Sequence, residues 1–424
     1  MNPTEKLYWS DAFATVFEAK GASLGEHGGR PAVVLDRTVF YPEGGGQLGD
    51  AGTLAVGAHE VRIADTQVEA GVIYHVVDGA LDAGLVDALG SPAAHELSVR
   101  GTVDEARRRD HMVQHTAQHA LSRALADAAR ASTVSARLGG TSCTIDVARP
   151  GMSDADLHRA EDLVNAVVMS DVAVVASFPS PEELAKLDLR KQPNAEKSAA
   201  GVRIVSIEGF DLTPCGGTHC TRTGQIGQVR ITATEKYKGM LRITFHAGRR
   251  ALVDARAGRE LLRTLASDLT CGAEDVPAAV GKLRAEMKAL RDKLASARSE
   301  LADHVARGLR AGLPASTGPH VLHVVRAQDD LASLRALATK LTEDDRVVAL
   351  VGGEDEGSGE IVVVAQRGAD AVLDCGAFVT AQAKACGGRG GGRPERAEGR
   401  FPRGTSLEVL ARAATSSMKR EDLP

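Results

Sequence analysis

Apolar positions change their spacing several times along the chain, and each change marks a different kind of element. Over residues 1–100 they fall in short runs, Ala32–Leu35, Val61–Ile63 and Val72–Val77. Glycine-rich turns separate them, at Glu43-Gly44-Gly45-Gly46-Gln47 and Gly49-Asp50-Ala51-Gly52. Such alternation of runs and turns predicts strands, here a small β-barrel or compact sheet. From Thr102 to Leu138 there is neither Gly nor Pro, which predicts helix, with Thr102-Val103-Asp104-Glu105 as a capping box. A second helix is expected near Asp154–Ser170, then strands at Val202–Ile207, Gln228–Thr232 and Leu241–Phe245. Helices on a mostly antiparallel sheet make residues 101–250 an α+β domain.

Residues 251–315 follow another rule. Leu283, Met287, Leu290, Leu294, Ala297, Leu301 and Val305 recur at spacings of four and three between charged residues. This a/d stripe predicts either a coiled-coil arm or a helical hairpin spacer, and a homodimer is expected to form through it or through the C-terminal domain. Residues 316–424 read as α/β: strands at Val321–Val325, Val347–Val351 and Ile361–Ala365, and a helix near Asp329–Leu341. The two later runs are unbroken and β-branched, as buried strands are. The expected fold class is α+β, in four segments: 1–100, 101–250, 251–315 and 316–424.

Composition changes this picture little. The 424 residues are 43% hydrophobic and 25% charged, those of a globular protein of several domains, with aromatics at 3% and Trp9 as the one tryptophan. No apolar run approaches the ~20 residues of a membrane span and the start has no apolar signal core, so a cytoplasmic protein is expected. Six scattered cysteines do not make a disulfide framework, and a Cys near His in a reducing compartment is expected to be a metal ligand or an inert core residue. The net charge of −5 argues against a generally basic nucleic-acid binder. Residues 381–424, however, carry nine Lys/Arg against five Asp/Glu, 9 − 5 = +4. There Arg389, Gly390, Gly391, Gly392 and Arg393 are expected to form a loop whose backbone N–H groups suit phosphate.

Candidate chemistry concentrates in two short segments. His115 and His119 lie four apart within the helical stretch, so both imidazoles share one face and can reach one ion. Cys215-Gly216-Gly217-Thr218-His219 places a thiolate and a third imidazole beside two glycines, which are expected to let the backbone fold sharply enough to turn both ligands inward. Thiolate and imidazole together suit Zn2+. Four protein ligands would close a tetrahedral site, whereas catalytic zinc keeps a position open. One ligand, His219, is therefore expected to be loosely held.

These segments also carry a family resemblance. His115-Thr116-Ala117-Gln118-His119-Ala120-Leu121 and Cys215-Gly216-Gly217-Thr218-His219 resemble the two zinc half-sites of the alanyl-tRNA synthetase editing domain. Tyr41–Gln47 with Gly49–Gly52 resembles the GGQ segment of that family, and Glu235–Ile243 its following strand pair. Gly387–Pro394 is similar to the glycine-rich segment of the synthetase C-terminal domain, shared with DHH-type phosphoesterases. The start at Met1 resembles the free-standing alanyl-tRNA editing proteins (AlaX) of the longer type. The resemblance implies a hydrolase that deacylates tRNA(Ala) carrying serine, with glycine as second candidate, and that does not charge tRNA. It implies substrate contacts from Gly45, Gly46, Gln47 and Thr218, and an RNA grip from Arg389–Arg393. Two alternatives stay open: threonyl-type Ser-tRNA editing, and a non-catalytic tRNA-binding protein with a structural zinc. The water-activating group, and whether zinc acts on the chemistry or positions substrate, are not specified by the residues.

Overall fold

The computed structural model describes residues 2–91, 94, 96–193, 201–313, 318–326 and 329–421. The chain forms two compact units, Met1–Thr264 and Leu265–Pro424. Its class is α+β, as expected.

In the first unit a seven-stranded antiparallel half-barrel sheet runs in the order Val16–Lys20, Ser98–Val103, Gly52–Val56, His59–Glu69, Val72–Val77, Arg30–Leu35, Ala22–His27. Burial alternates strictly along Ser98–Val103, because successive strand side chains point to opposite faces. Phe17, Leu54, Ile63 and Val99 fill the inner face, which helix α1 (Ala83–Gly90) joins through Leu85 and Leu89.

Helix α2 (Glu105–Ala129) follows directly. Its cap is Asp104, whose carboxylate accepts from the backbone N–H of Arg107 at 3.0 Å, and Thr102 and Val103 belong to the preceding strand. The helix therefore starts two residues later than the sequence suggested, with a simple Asp104 cap in place of the expected capping box. The helix also ends earlier than the lack of Gly and Pro suggested. Arg130 closes it in the left-handed region (φ 50°), and Thr133–Leu138 is a strand bonded to Cys143–Val147. β-branched Thr133 and Val134 favour the pleated surface, and a sheet partner overrides a local absence of breakers. Helix α3 (Asp154–Met169) has a full capping box between Ser153 and Asp156. Both helices cover a four-stranded antiparallel sheet, Thr133–Leu138, Cys143–Val147, Met240–Ala247, Val229–Tyr237. A three-stranded antiparallel sheet, Val174–Ser177, Ile204–Ile207, Asp211–Pro214, stands beside them and leads into Cys215. Between Val174–Ser177 and Ile204–Ile207 lies the short helix α4 (Pro181–Leu184).

Helix α5 (Arg249–Asp268) and the 36-residue helix α6 (Val276–Ala311) come next. On α6, Leu283, Met287, Leu290, Leu294 and Leu301 are 46–66% exposed. The second unit has a five-stranded sheet in the order His320–Val325, Val347–Glu354, Ile361–Arg367, Arg396–Phe401, Arg389–Arg393, parallel only in its first pair. Ala302 and Ala306 of α6 pack with α7 (Leu331–Leu341) against Val347, Ala349 and Val351. Phe378 and Val379 of α8 (Cys375–Cys386) and Leu410 of α9 (Leu407–Glu421) pack against Val348 and Leu350 on the opposite face. Both faces of the sheet are covered, which is why its strands read as unbroken apolar runs.

The glycine-rich segment is an edge strand rather than a loop. Close packing explains it. A Cβ on Gly390 would lie 2.7 Å from Val379 Cγ1 of α8 and from the Glu398 carbonyl oxygen, and one on Gly376 of α8 2.6 Å from the Gly392 carbonyl oxygen. Here glycine lets a helix lie against a strand pair.

Candidate metal centre

His115 and His119 project from one face of α2, in its buried middle. Two arginines about two turns before His115 fix this helix on the half-barrel. Arg108 and Asp50, both fully buried, form an ion pair whose carboxylate also accepts from the Tyr41 backbone N–H. Arg107 donates twice to the Gly49 carbonyl, at 3.0 and 2.8 Å. The Gly49-Asp50 segment is thus clamped to α2, and with it the turn Gly44–Gln47 just before.

Gly45 and Gly46 of that turn have positive φ, 60° and 88°. A Cβ on Gly46 would also strike the Ala136 carbonyl oxygen at 2.6 Å. The turn sends Gln47 inward, where it is fully buried. Cys215–His219 closes the other side. Neither Gly216 nor Gly217 has positive φ, so the sharp fold expected of them is not their function. A Cβ on Gly217 would lie 2.2 Å from His115 Cε1, and this glycine makes room for the imidazole. Arg203 donates through Nη1 to the Cys215 and Gly217 carbonyls, both at 2.9 Å, and holds the turn from behind.

The four side chains converge: one ligand atom from each of His115, His119, Cys215 and His219 lies within 4.8 Å of the others. His115 Nε2 is 3.4 Å and His219 Nε2 3.3 Å from Cys215 Sγ. A tetrahedron with arms of ~2.0–2.3 Å has edges of roughly 3.3–3.8 Å, so these contacts already have the required size.

The outer partners fix which ring nitrogen carries a proton. Gln47 Oε1 accepts from the Thr218 backbone N–H at 3.3 Å, while Gln47 Nε2 donates to Thr218 Oγ1 at 2.9 Å. The atom facing His115 Nδ1 at 2.6 Å is therefore an acceptor. His115 carries its proton on Nδ1 and presents the Nε2 lone pair to the cluster. Thr116 Oγ1 donates its single hydrogen to the Met112 carbonyl at 2.7 Å and accepts from the Cys220 backbone N–H at 3.0 Å. It faces His219 Nδ1 at 3.3 Å as an acceptor too. His119 Nδ1 lies 3.6 Å from Asp211 Oδ2. That carboxylate is held by Arg190, at 2.7 and 3.1 Å, and by Thr213 Oγ1 at 2.9 Å. An amide oxygen and a hydroxyl orient His115 and His219, the usual outer support of metal-binding histidines, while His119 Nδ1 faces the Asp211 carboxylate beyond hydrogen-bond length.

The electrostatics agree. Burial raises the Cys215 thiol pKa, but His115, His219 and His119 together outweigh burial and hold it well below its ordinary 9.0. Burial depresses the His219 imidazole to about 3. His119 resists the same burial because the Cys215 thiolate and Asp211 raise it to about 9. A thiolate with three imidazole nitrogens is a donor set that fits a zinc-type ion. His119 must lose its second proton to join that set, so metal binding releases protons.

The remaining sequence candidates are placed as follows. Thr218 is fully buried against Gln47, not at a surface. Cys220 lies outside the four-ligand set, and burial raises its thiol to about 11. Arg389 is ion-paired to Glu360 at 3.0 Å, while Arg393 is exposed and has no ion pair among the described residues. Sequence reasoning did not find Asp211, Arg190 or Arg203. Asp211 sits four residues before Cys215, and no spacing rule links it to a histidine 92 positions earlier.

The family model described as the threonyl and alanyl tRNA synthetase second additional domain matches residues 202–244. This stretch contains Arg203, Asp211 and Cys215–His219. A DHHA1 domain model matches residues 318–420, and a model for tRNA synthetases class II (A) matches residues 9–86, on the half-barrel. These three matches follow one another along the chain. Alanine–tRNA ligases of Korarchaeum cryptofilum and Haloquadratum walsbyi are 31% identical to it over 95% and 98% of its length. That of Pyrococcus abyssi is 31% identical over 94%. The chain is an alanyl-tRNA synthetase relative, and it spans 42–44% of the length of these ligases. The solved C-Ala domain of Aquifex aeolicus alanyl-tRNA synthetase is similar over 25% of this chain and 97% of its own, at 16% identity and a TM-score of 0.22. No helix among the described residues is long and apolar enough to cross a membrane.

Proposed function

We propose that the cluster binds Zn2+ and that this chain hydrolyses the ester joining a wrong amino acid, serine first and glycine second, to the 3′ end of tRNA(Ala). The observation that carries the reading is the convergence of three imidazoles and one thiol, two of which, Cys215 and His219, lie within the segment that matches the synthetase second additional domain. Serine exceeds alanine by one hydroxyl. A synthetic site rejects such near-isosteres poorly, and a second hydrolytic site is the physical remedy. When bound, zinc would supply Lewis acidity at the ester carbonyl or lower the pKa of the attacking water.

The chain's own residues do the rest. Gln47 and Thr116 keep the protons of His115 and His219 on Nδ1, and Asp211 sets a negative charge 3.6 Å from His119 Nδ1. Gly45 and Gly46, exposed on their turn, line the approach, and Gln47 and Thr218 act from behind His115. The three outer acceptors differ in strength. His119 faces the charge of a carboxylate at 3.6 Å without a hydrogen bond, His115 an amide oxygen at 2.6 Å, and His219 only a neutral hydroxyl at 3.3 Å. Electrostatically His219 has the weakest partner, a neutral hydroxyl where His119 faces a charge, which favours it as the one that yields to substrate. In the second unit the edge strand with Arg389 and Arg393 contacts the RNA backbone, and the exposed stripe of α6 pairs two copies.

The test is deacylation of Ser-, Gly- and Ala-tRNA(Ala) by metal-loaded and chelator-treated protein, with Ser-tRNA(Thr) as a further substrate. Rapid loss of serine from tRNA(Ala) only when metal is present is expected. Equal turnover of the Ala and Ser esters would sink proofreading, and preference for Ser-tRNA(Thr) would move the chain to the threonyl type. Tight RNA binding without hydrolysis would leave a structural zinc.

A further inference from the structure

The single tryptophan stands at the edge of the metal centre without a part in it. Trp9 donates its indole Nε1–H to the carbonyl of Gly216 at 3.1 Å. Gly216 is exposed and adjoins Cys215, the least buried of the four ligands. Phe178, which follows the Val174–Ser177 strand, sets its ring 5.6 Å from the indole, centroid to centroid, and is 54% exposed. The Lys6 ammonium lies 4.3 Å from the indole centroid. Trp9 is anchored on one side against Tyr8, Tyr41 and Ile73, while Phe178 stands more than half exposed beside it with a cation near, and the indole is tied by a hydrogen bond to the residue after a ligand. Phe178 belongs to none of the core clusters of the first unit.

We infer that Trp9, Phe178 and Lys6 form a platform for the unpaired 3′-terminal purine base of the RNA whose ester lies at the cluster. This deepens the hydrolase reading above and rests on it. Three observations select a base as the occupant. In one nucleotide only the ribose separates the base from a 3′-linked ester, so a base site must adjoin the ester site, and Trp9 contacts the ligand-bearing turn itself. Exposed aromatic rings take any base on their π-face, a mode that suits a single-stranded end. Lys6 places a positive charge where the phosphate or the electron-rich ring of that nucleotide would lie.

Because Trp9 is the chain's one tryptophan, its fluorescence reports this site alone. The probe is an uncharged hairpin RNA ending in CCA, compared with the same hairpin lacking the terminal adenosine. The full-length hairpin should quench Trp9, and removal of the adenosine should abolish quenching and weaken binding roughly ten- to hundredfold, the usual effect of one lost base stack. Phe178→Ala should weaken the full hairpin by a similar factor and leave the shortened one unchanged, and Phe178→Tyr should restore binding. Equal quenching and affinity with both hairpins, or indifference to Phe178→Ala, overturns the platform. If that happens while Ser-tRNA(Ala) is still hydrolysed, the hydrolase reading stands. Adenosine-dependent quenching without any hydrolysis would overturn that reading and leave the platform in place.

Discussion

Two glycine-rich segments, Cys215–His219 and Arg389–Arg393, look alike as text and behave oppositely in the fold. In the first, Gly217 opens space for the His115 ring, and the polar atoms around it turn inward, buried and partnered. In the second, Gly390 and Gly392 open space for a neighbouring backbone and a helix, and the flanking arginines turn outward, Arg389 to Glu360. Glycine marks close approach in both. What separates a site from a packing device is where the polar atoms converge, and that depends on residues far away in sequence.

The comparison predicts unequal effects. Cys215→Ala should remove bound metal and lower Ser-tRNA(Ala) hydrolysis on the order of 10³-fold, since a charged ligand is lost and the three imidazoles face one another. Arg393→Ala should leave single-turnover hydrolysis of bound RNA intact. Metal analysis with single-turnover kinetics separates them, and parallel loss of catalysis in both variants would erase the contrast.

Acid should also strike the two units differently. His75 is fully buried in the half-barrel, donating through Nδ1 to the Val33 carbonyl and accepting from Thr38 Oγ1, both at 2.8 Å. Burial depresses its pKa from 6.5 to about 4. The unfolded chain takes up this proton near pH 6.5 and the folded chain only near pH 4. Stability is therefore kept above pH 6.5 and lost as pH falls from 6.5 to 4, by about 3 kcal/mol at most. None of His304, His320 and His323 in the second unit is buried. Urea melts at pH 7 and 4.5, followed by hydrogen exchange, should show the first unit weakening, and His75→Gln should flatten that slope. A first unit indifferent to pH would contradict the buried neutral imidazole.

Outer support gives smaller changes. Asp211→Asn should weaken metal affinity or hydrolysis about 10- to 100-fold, and Thr116→Val, which removes the weakest acceptor, should cost less. Competition with a chelator of known affinity reads both, and a larger loss from Thr116→Val would reverse the proposed ranking of His119 over His219. Smallest is the affinity change from Arg393→Ala, under about tenfold, with a shallower salt dependence if the edge strand meets phosphate. An unchanged salt slope would leave that strand a packing element only.

Much of this was legible in the sequence, for local reasons. His115 and His119 share a face because helical spacing puts them there, and the α6 stripe and the strands of the second unit follow from periodicity. The Thr133–Leu138 strand was not legible, because its partner Cys143–Val147 decides it against a stretch free of helix breakers. The glycine-rich segment was read as a loop, since nothing local reveals that α8 must pack against it. The metal half-sites could be read, yet the groups that choose each ring's protonated nitrogen could not. Gln47 meets His115 across 68 residues and Thr116 meets His219 across 103, and such contacts exist only after folding.

The most direct measurement of the central claim is hydrolysis of Ser-tRNA(Ala) by metal-free protein as zinc is added back. The rate should rise in proportion to bound zinc and level off at one ion per chain, with Ala-tRNA(Ala) hardly cleaved throughout. Full hydrolysis by the metal-free protein, or none when one ion per chain is bound, would contradict it.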